Sequence, residues 1–292
     1  MLDLLNLLWL TALLRPYVFG YFALYCLSGR IELGPRRLAL FTLLAWLLAW
    51  LSEYSSITTG FPYGFYRYHH LTLGRELWVG GVPFFDSLSY TFLAYASLCA
   101  ARRRLGAGAP VLKSALLGGV FMLLQDIVVD PVAVRGSRWF LGDLFDYPGG
   151  GIYFGVPLSN FGGWLLTGWA ICGAYTYLEQ TFFPTRPDPS PGLGPCQPVE
   201  KAPSCSLFKK AQMLDARNHE EGAVHRSTAA LTQDERNAAD GSSSTGCYRT
   251  GVWLYFIIMT FNIALAFYIG EPKLGAAGLA ALAAAAALAW RH

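Results

Sequence analysis

A few carboxyl groups stand where an otherwise apolar sequence leaves them little water. Glu53 precedes Tyr54-Ser55-Ser56 at the end of one apolar run, Asp86 opens another with Tyr90 four residues on, and Asp126 and Asp130 close a third. Asp126 and Asp130 are four apart, hence on one helical face, where like charges repel. A carboxylate at the centre of a membrane costs about 2.5–3.5 kcal/mol on insertion scales, so these residues are functional candidates by default. A carboxylic acid held protonated by desolvation is a suitable proton donor. Asp130 is the first candidate donor, because Pro131 is expected to end the helix there and turn the carboxyl toward the flanking loops. Asp126, one turn deeper, is the second, and Glu53 would orient water or hold a second proton. Asp86 has a plainer reading, satisfying backbone N–H groups at a helix N-terminus. Asp143 and Asp146 lie in a Gly-rich loop and read as solvated.

The loop Gly60–Val82 (GFPYGFYRYHHLTLGRELWVGGV) is dense in aromatic residues. Part of it is an interfacial aromatic belt. Its ring faces also suit a slot that stabilises a cation, with Tyr63, Phe65, Tyr66, Tyr68, Asp86, Asn160 and Trp164 as the candidate substrate-binding set. Arg67, Arg75, Arg135 and Arg138 read as counter-charges or interface anchors. Adjacent His69 and His70 lack metal-ligand spacing, and the six Cys include no C-x-x-C pair, so no metal site and no disulfide framework is expected.

These residues must be positioned by helices in a membrane. Of the 292 residues 54% are apolar and 14% charged, against roughly 25% charged in a soluble domain. The net charge of +3 gives no footing for nucleic acid. The first residues, MLDLLNLLWL, lack a basic stretch, which argues against a cleaved signal peptide. Runs long enough to span a bilayer predict an all-α, polytopic transmembrane bundle of about seven spans: Leu4–Leu27, Leu38–Ile57, Val82–Ala101, Val111–Val129, Val156–Leu178, Val252–Ile269 and Leu274–Trp290. Arg15-Pro16 is expected to kink the first or divide it. The chain divides into a bundle over 1–182, a polar linker over 183–250 and a C-terminal helix pair over 251–292. The linker is rich in Pro, Ser and Gly, with eight basic residues balanced by eight acidic ones, and is expected to be disordered. Arg30, Arg36 and Arg37, then Arg102, Arg103, Arg104 and Lys113, place their loops on the cytoplasmic side, with the C-terminus also inside and the chain in the cell membrane. The loops after the second and fourth spans then share the opposite side and bring the acidic residues together.

Three blocks, EYSSITTGFPYGFYRYHHLTLG, FMLLQDIVVDPVAV and GGGIYFGVPLSNFGGWLLTGW, resemble the CruF-type carotenoid biosynthesis proteins, which include carotenoid 1',2'-hydratases and bisanhydrobacterioruberin hydratases. The shared elements are E-x(5)-T-G-x-P-[YF]-G, D-x(3)-D-P and Y-F-G-V-P-L-S-N-F-x-G-W, in the family's order, over about Trp46 to Glu179. The resemblance implies addition of water to the terminal double bond of an acyclic carotenoid end group, without a redox cofactor. It implies a lipophilic substrate such as lycopene, a γ-carotene-like pigment or a bisanhydro carotenoid, with membrane lipid and other carotenoid enzymes as company. Two readings compete. Asp126-x-x-x-Asp130 and Asp143-x-x-Asp146 superficially resemble the Mg²⁺-holding diphosphate sites of membrane prenyltransferases, although basic residues to grip a diphosphate are sparse. A non-catalytic pigment-binding or transport protein is the other, although no internal repeat supports it.

The orientation has a direct test. Cysteines introduced at Gly106 and Gly149 should react with an impermeant reagent from opposite faces of the membrane; reaction of both from one face overturns the assignment.

Overall fold

The computed structural model describes residues 2–183 and 248–290. The stretch read from sequence as a polar linker lies almost entirely outside the described residues. Among the described residues eight helices form: α1 (Leu2–Leu14), α2 (Pro16–Glu32), α3 (Pro35–Thr59), α4 (Phe84–Leu105), α5 (Val111–Ala133), α6 (Leu158–Phe182), α7 (Arg249–Tyr268) and α8 (Pro272–Ala289). Proline sits in the first turn of α2, α3 and α8, where its missing N–H costs nothing and its fixed φ suits the helix. Gly60, at φ +84°, closes α3 with its N–H on the Ser56 carbonyl.

α4 is the central helix. It packs against α2, α3, α5, α6, α7 and α8, and every residue from Tyr90 to Arg102 is buried. Five of these are Ala or Ser, which lets neighbouring backbones come close. α5 and α6 meet more closely still. A Cβ on Gly119 would lie 2.6 Å from the Leu165 carbonyl oxygen, and one on Gly168 would lie 2.6 Å from the Met122 side chain.

The all-α bundle is as expected and fits a membrane protein, but about seven spans is not. Four helices, α3, α5, α7 and α8, are long and apolar enough to cross a membrane. A fifth is reached only by joining α1 to α2 across a 99° bend. The break falls at Arg15-Pro16, so the single run Leu4–Leu27 becomes two helices. α4 and α6 miss the apolar threshold for a physical reason. α4 holds Ser, Thr, Tyr and Arg side chains that face other helices, and α6 carries Ser159, Asn160, Thr167, Thr176 and Glu179.

The motif loops meet at one end of the bundle. β1 (Arg67–Tyr68) from the α3–α4 loop pairs antiparallel with β4 (Phe145–Asp146) from the α5–α6 loop. A tighter hairpin, β2 (Trp78–Val79) with β3 (Val82–Pro83), turns through Gly80 and Gly81 at φ +60° and +83°, a geometry that Gly supplies without strain. The α1–α2 elbow is locked beneath them. Arg15, 2% exposed, holds Glu76, 1% exposed, through Nε–Oε2 at 3.1 Å and NH2–Oε1 at 3.3 Å. Arg15 also donates to the Leu141 carbonyl and lies 4.5 Å over the Phe85 ring. Thr11 accepts the Leu77 N–H at 2.8 Å. One guanidinium thus ties the elbow, both motif loops and the start of α4.

The far end is held separately. Glu32 accepts the Thr250 N–H at 2.8 Å and its hydroxyl at 2.6 Å, capping α7 from α2, and also accepts the Tyr95 hydroxyl at 2.6 Å. Buried Arg102 pairs with Glu179, joining α4 to α6.

Removing one member of a buried ion pair leaves the other uncompensated, at a cost of about 3–5 kcal/mol. Glu76→Gln should therefore lower the unfolding midpoint in detergent markedly, and Arg15→Met with Glu76→Leu should recover part of the loss. A Glu76→Gln protein as stable as the parent would show that the pair does not hold the elbow.

Candidate active site

Helix ends from four directions converge beneath β1 and β4. Glu53 comes from the last turns of α3, Asp86 from the first turn of α4, Asp130 from the end of α5, and Asn160 and Trp164 from the start of α6. All five border one cavity of about 880 Å³, its open mouth included. Tyr63, Tyr66 and Tyr68 from the α3–α4 loop, Tyr90 from α4 and Tyr147 from the α5–α6 loop are buried in its enclosed part.

The two aspartates of the D-x(3)-D-P pair differ in position. Asp130 faces the cavity, and its Oδ2 accepts Asn160 Nδ2 at 2.7 Å and Trp164 Nε1 at 3.1 Å. Asp126 is fully buried behind it and does not border the void. Its Oδ2 accepts from the same Asn160 nitrogen at 2.7 Å, and its Oδ1 faces the Asp130 N–H at 3.3 Å. One amide therefore orders both carboxyls.

Across the cavity, Glu53 is 2% exposed and accepts a hydrogen bond from the Ser87 hydroxyl. Asp86 accepts the Tyr68 hydroxyl at 2.6 Å. The helix-capping reading of Asp86 is not what is found, since α4 has no side-chain cap and the carboxyl is turned to a phenol. Burial first, then the carboxyls of Asp86 and Glu53, push the Tyr68 phenol well above its usual value. Burial and then Glu53 do the same to Tyr66. Both remain hydrogen-bond donors at any ordinary pH. Among the described residues, no basic side chain lies within ion-pair distance of Glu53, Asp86, Asp126 or Asp130. Aromatic faces stand where counter-ions would, including Tyr90 stacked on Trp164 at 4.8 Å and 22°.

Pro131 does not end α5, contrary to the sequence expectation; the helix continues to Ala133. Proline has no N–H for the carbonyl four residues back, which here is that of Ile127. The Tyr153 hydroxyl takes that carbonyl at 3.1 Å. Arg135 takes the carbonyls of Pro131 at 2.9 Å and Phe154 at 2.6 Å. The Y-F-G-V-P block is thereby stitched to the helix end that carries Asp130.

Other candidates separate from the cavity. Phe65 is 60% exposed and lies outside the lining. His69 lies 3.2 Å from Asp146, and His70 stacks on Trp78 at 4.7 Å. Arg67 pairs with Asp146 at 2.7 Å, and Arg135 and Arg138 hold Glu271 at 2.9 and 2.8 Å. The Arg135 hydrogen bond, with Arg138 beside it, keeps the Glu271 carboxyl below its usual range. Sequence reasoning missed Tyr17 and Tyr21 of α2 and Phe261 and Asn262 of α7, which complete the lining. The four-residue spacing of the two tyrosines and an amide within an apolar span were the only signals.

The family described as "Carotenoid biosynthesis protein" matches residues 9–189. A bisanhydrobacterioruberin hydratase from Haloarcula japonica is 32% identical over 159 residues, 53% of this chain and 51% of that protein. The chain thus matches about half the length of that curated relative. No solved structure matches.

The stitching of α5 has a measurable weight. Tyr153→Phe leaves the Ile127 carbonyl without its donor and should destabilise the protein by about 1 kcal/mol, read from thermal unfolding in detergent. An unchanged midpoint would mean that this hydroxyl does not support the helix end.

Proposed function

The chain belongs to the carotenoid biosynthesis protein family, and from that membership and the cavity we propose that it adds water to the terminal double bond of an acyclic carotenoid end group. The observation that carries this reading is Asp130, ordered by Asn160 and Trp164 and facing an aromatic-walled void that borders two further carboxyls. The relative from Haloarcula japonica is a bisanhydrobacterioruberin hydratase, which supports this reading.

The chemistry follows from the end group. A trisubstituted alkene is protonated on its CH carbon, which leaves a tertiary cation on the carbon bearing two methyl groups. Asp130 supplies that proton. The ring faces of Tyr90 and Trp164 stabilise the cation. A water ordered by Glu53 attacks the cationic carbon, its surplus proton passes to Glu53, and a proton returns from Glu53 to Asp130 through water before the next turnover. One C–H and one C–O bond replace the π bond and one O–H bond of water, and no electrons are gained or lost overall. Asp126, behind Asn160, acts as a positioning residue for Asp130. Tyr63, Tyr66, Tyr68 and Asp86 shape the enclosed end.

The prenyltransferase reading is weaker on the same geometry. Asp146 is engaged by Arg67 and His69 at the surface, so the second aspartate pair does not converge with the first.

Expression in a lycopene-producing host should yield pigment heavier by one water per reacted end. General acid catalysis is typically worth 10²–10⁴-fold, so Asp130→Asn should lose at least about a hundredfold in rate while still inserting. A chelator should change nothing. Unchanged pigment mass with a well-inserted parent protein defeats the hydratase reading; a chelator-sensitive activity revives the prenyltransferase; full activity in both Asp126→Asn and Asp130→Asn rejects this site.

A further inference from the structure

The cavity needs an opening for a long apolar molecule, and the loop end of the bundle does not offer one. Leu141, Leu144 and Phe145 close it from above and are nearly buried, and β1–β4 and the Arg15–Glu76 lock hold the loops over them. The buried lining residues lie on α3, α4, α6 and the loops, with Val18 of α2 and Ile258 of α7. Tyr17 and Tyr21 of α2, Phe261 and Asn262 of α7 and the neighbouring Trp139 are partly exposed, as are Asp86 and Ser89 of α4 and Val129, Asp130 and Ala133 of α5, which face the void. Of these, the rings of α2 and α7 face each other on the flank of the bundle, and the mouth is taken to lie between them. α7 is one of the four helices apolar enough to cross a membrane, and it turns Trp253 and Ile257 outward.

The two helices are joined differently along their length. At the far end Glu32 and Ser28 of α2 hydrogen-bond to Thr250 of α7. At the mouth they meet through rings alone. Phe261 lies 6.1 Å from Tyr17, 5.7 Å from Tyr21 and 6.4 Å from Phe140. Among the described residues, neither the Tyr17 nor the Tyr21 hydroxyl has a hydrogen-bond partner. A ring held only by other rings swings aside without leaving a polar group unsatisfied.

A second groove, between α3 and α6, offers the rival route. It is lined by Ser52, Phe61 and Thr167 and backs onto Tyr63, which also borders the main cavity. Tyr63 closes that way with two hydrogen bonds, to Ser52 at 2.9 Å and Thr167 at 2.8 Å.

We propose that the gap between α2 and α7 is a lateral portal for a linear polyene, with Phe261 as its gate. The end group passes Phe261 to reach Asp130, and the rest of the chain lies in the portal and extends into lipid. This rests on the reading that the substrate is a linear carotenoid, but not on water being added to it.

The test measures pigment binding apart from turnover. In an Asp130→Asn background reconstituted in lipid, lycopene is supplied from vesicles and its binding followed by the visible circular dichroism of the bound polyene. A charge in an intramembrane passage is costly, so Phe261→Lys should slow binding at least about tenfold, as an obstructed association step does. Phe261→Ala should speed it, which also guards against a merely misfolded Lys variant. Phe61→Lys, in the α3–α6 groove, should leave the rate unchanged. Slowing by Phe61→Lys with no effect at Phe261 overturns the portal in favour of the groove, and a protein that binds no lycopene overturns it outright. A parent protein that binds lycopene through Phe261 but adds no water would sink the hydratase reading and leave the portal standing.

Discussion

The arrangement hangs on one buried guanidinium. Arg15 interrupts an apolar run at the point where α1 turns by 99° into α2, and it reaches Glu76 in one motif loop, the Leu141 carbonyl in the other and the Phe85 ring at the start of α4. The net stability of such a pair is small when weighed against an apolar substitute, because both charges have lost their water. Its effect is geometric. A charge that can be satisfied in only one place fixes the elbow, and the elbow fixes the height at which Tyr17 and Tyr21 meet the cavity. The roof, the mouth and the α4 terminus are thereby set by a single residue.

Beneath that roof the cavity obeys an opposite constraint. Its carboxyls have no basic partners among the described residues; they have an amide, an indole N–H, a serine hydroxyl and a phenol. Neutral donors order a carboxyl without taking it up in an ion pair, and so leave it free to give or take a proton. Tyrosine and tryptophan supply both parts, an O–H or N–H for the oxygen and a ring face for positive charge. A lysine or arginine in the same position would order the carboxyl equally well and oppose any cation in the cavity.

Much of this was legible in the residues. The three motif blocks imply one shared end, and the β1–β4 pairing joins their loops there. Arg15-Pro16 announces the bend. The i, i+4 spacing of Asp126 and Asp130 places them on one face, but spacing alone does not say that only one borders a void, since that depends on where Asn160 of another helix lies. Phe65 and Tyr66 are neighbours in an aromatic stretch, and only the pairing of the loop decides which ring turns outward. The span count came out too high at α4 and α6 because a run long enough to cross a bilayer was counted despite its polar residues, which in α4 serve packing against six other helices. Tyr17, Tyr21, Phe261 and Asn262 were out of reach for a related reason. A ring on an apolar helix reads the same whether it faces lipid or a cavity.

The cap that Glu32 places on α7 bridges 218 residues of sequence and brings into the wall of the cavity a helix that lies beyond the stretch matched by the family. The cavity is thus walled by helices from inside and outside that stretch. The candidate acids and the roof lie within the matched portion, and one wall of the cavity lies outside it. Under the proposed reading, a change on that wall alters which molecules are admitted and how far they slide in, while the acid–amide–indole cluster is left as it was.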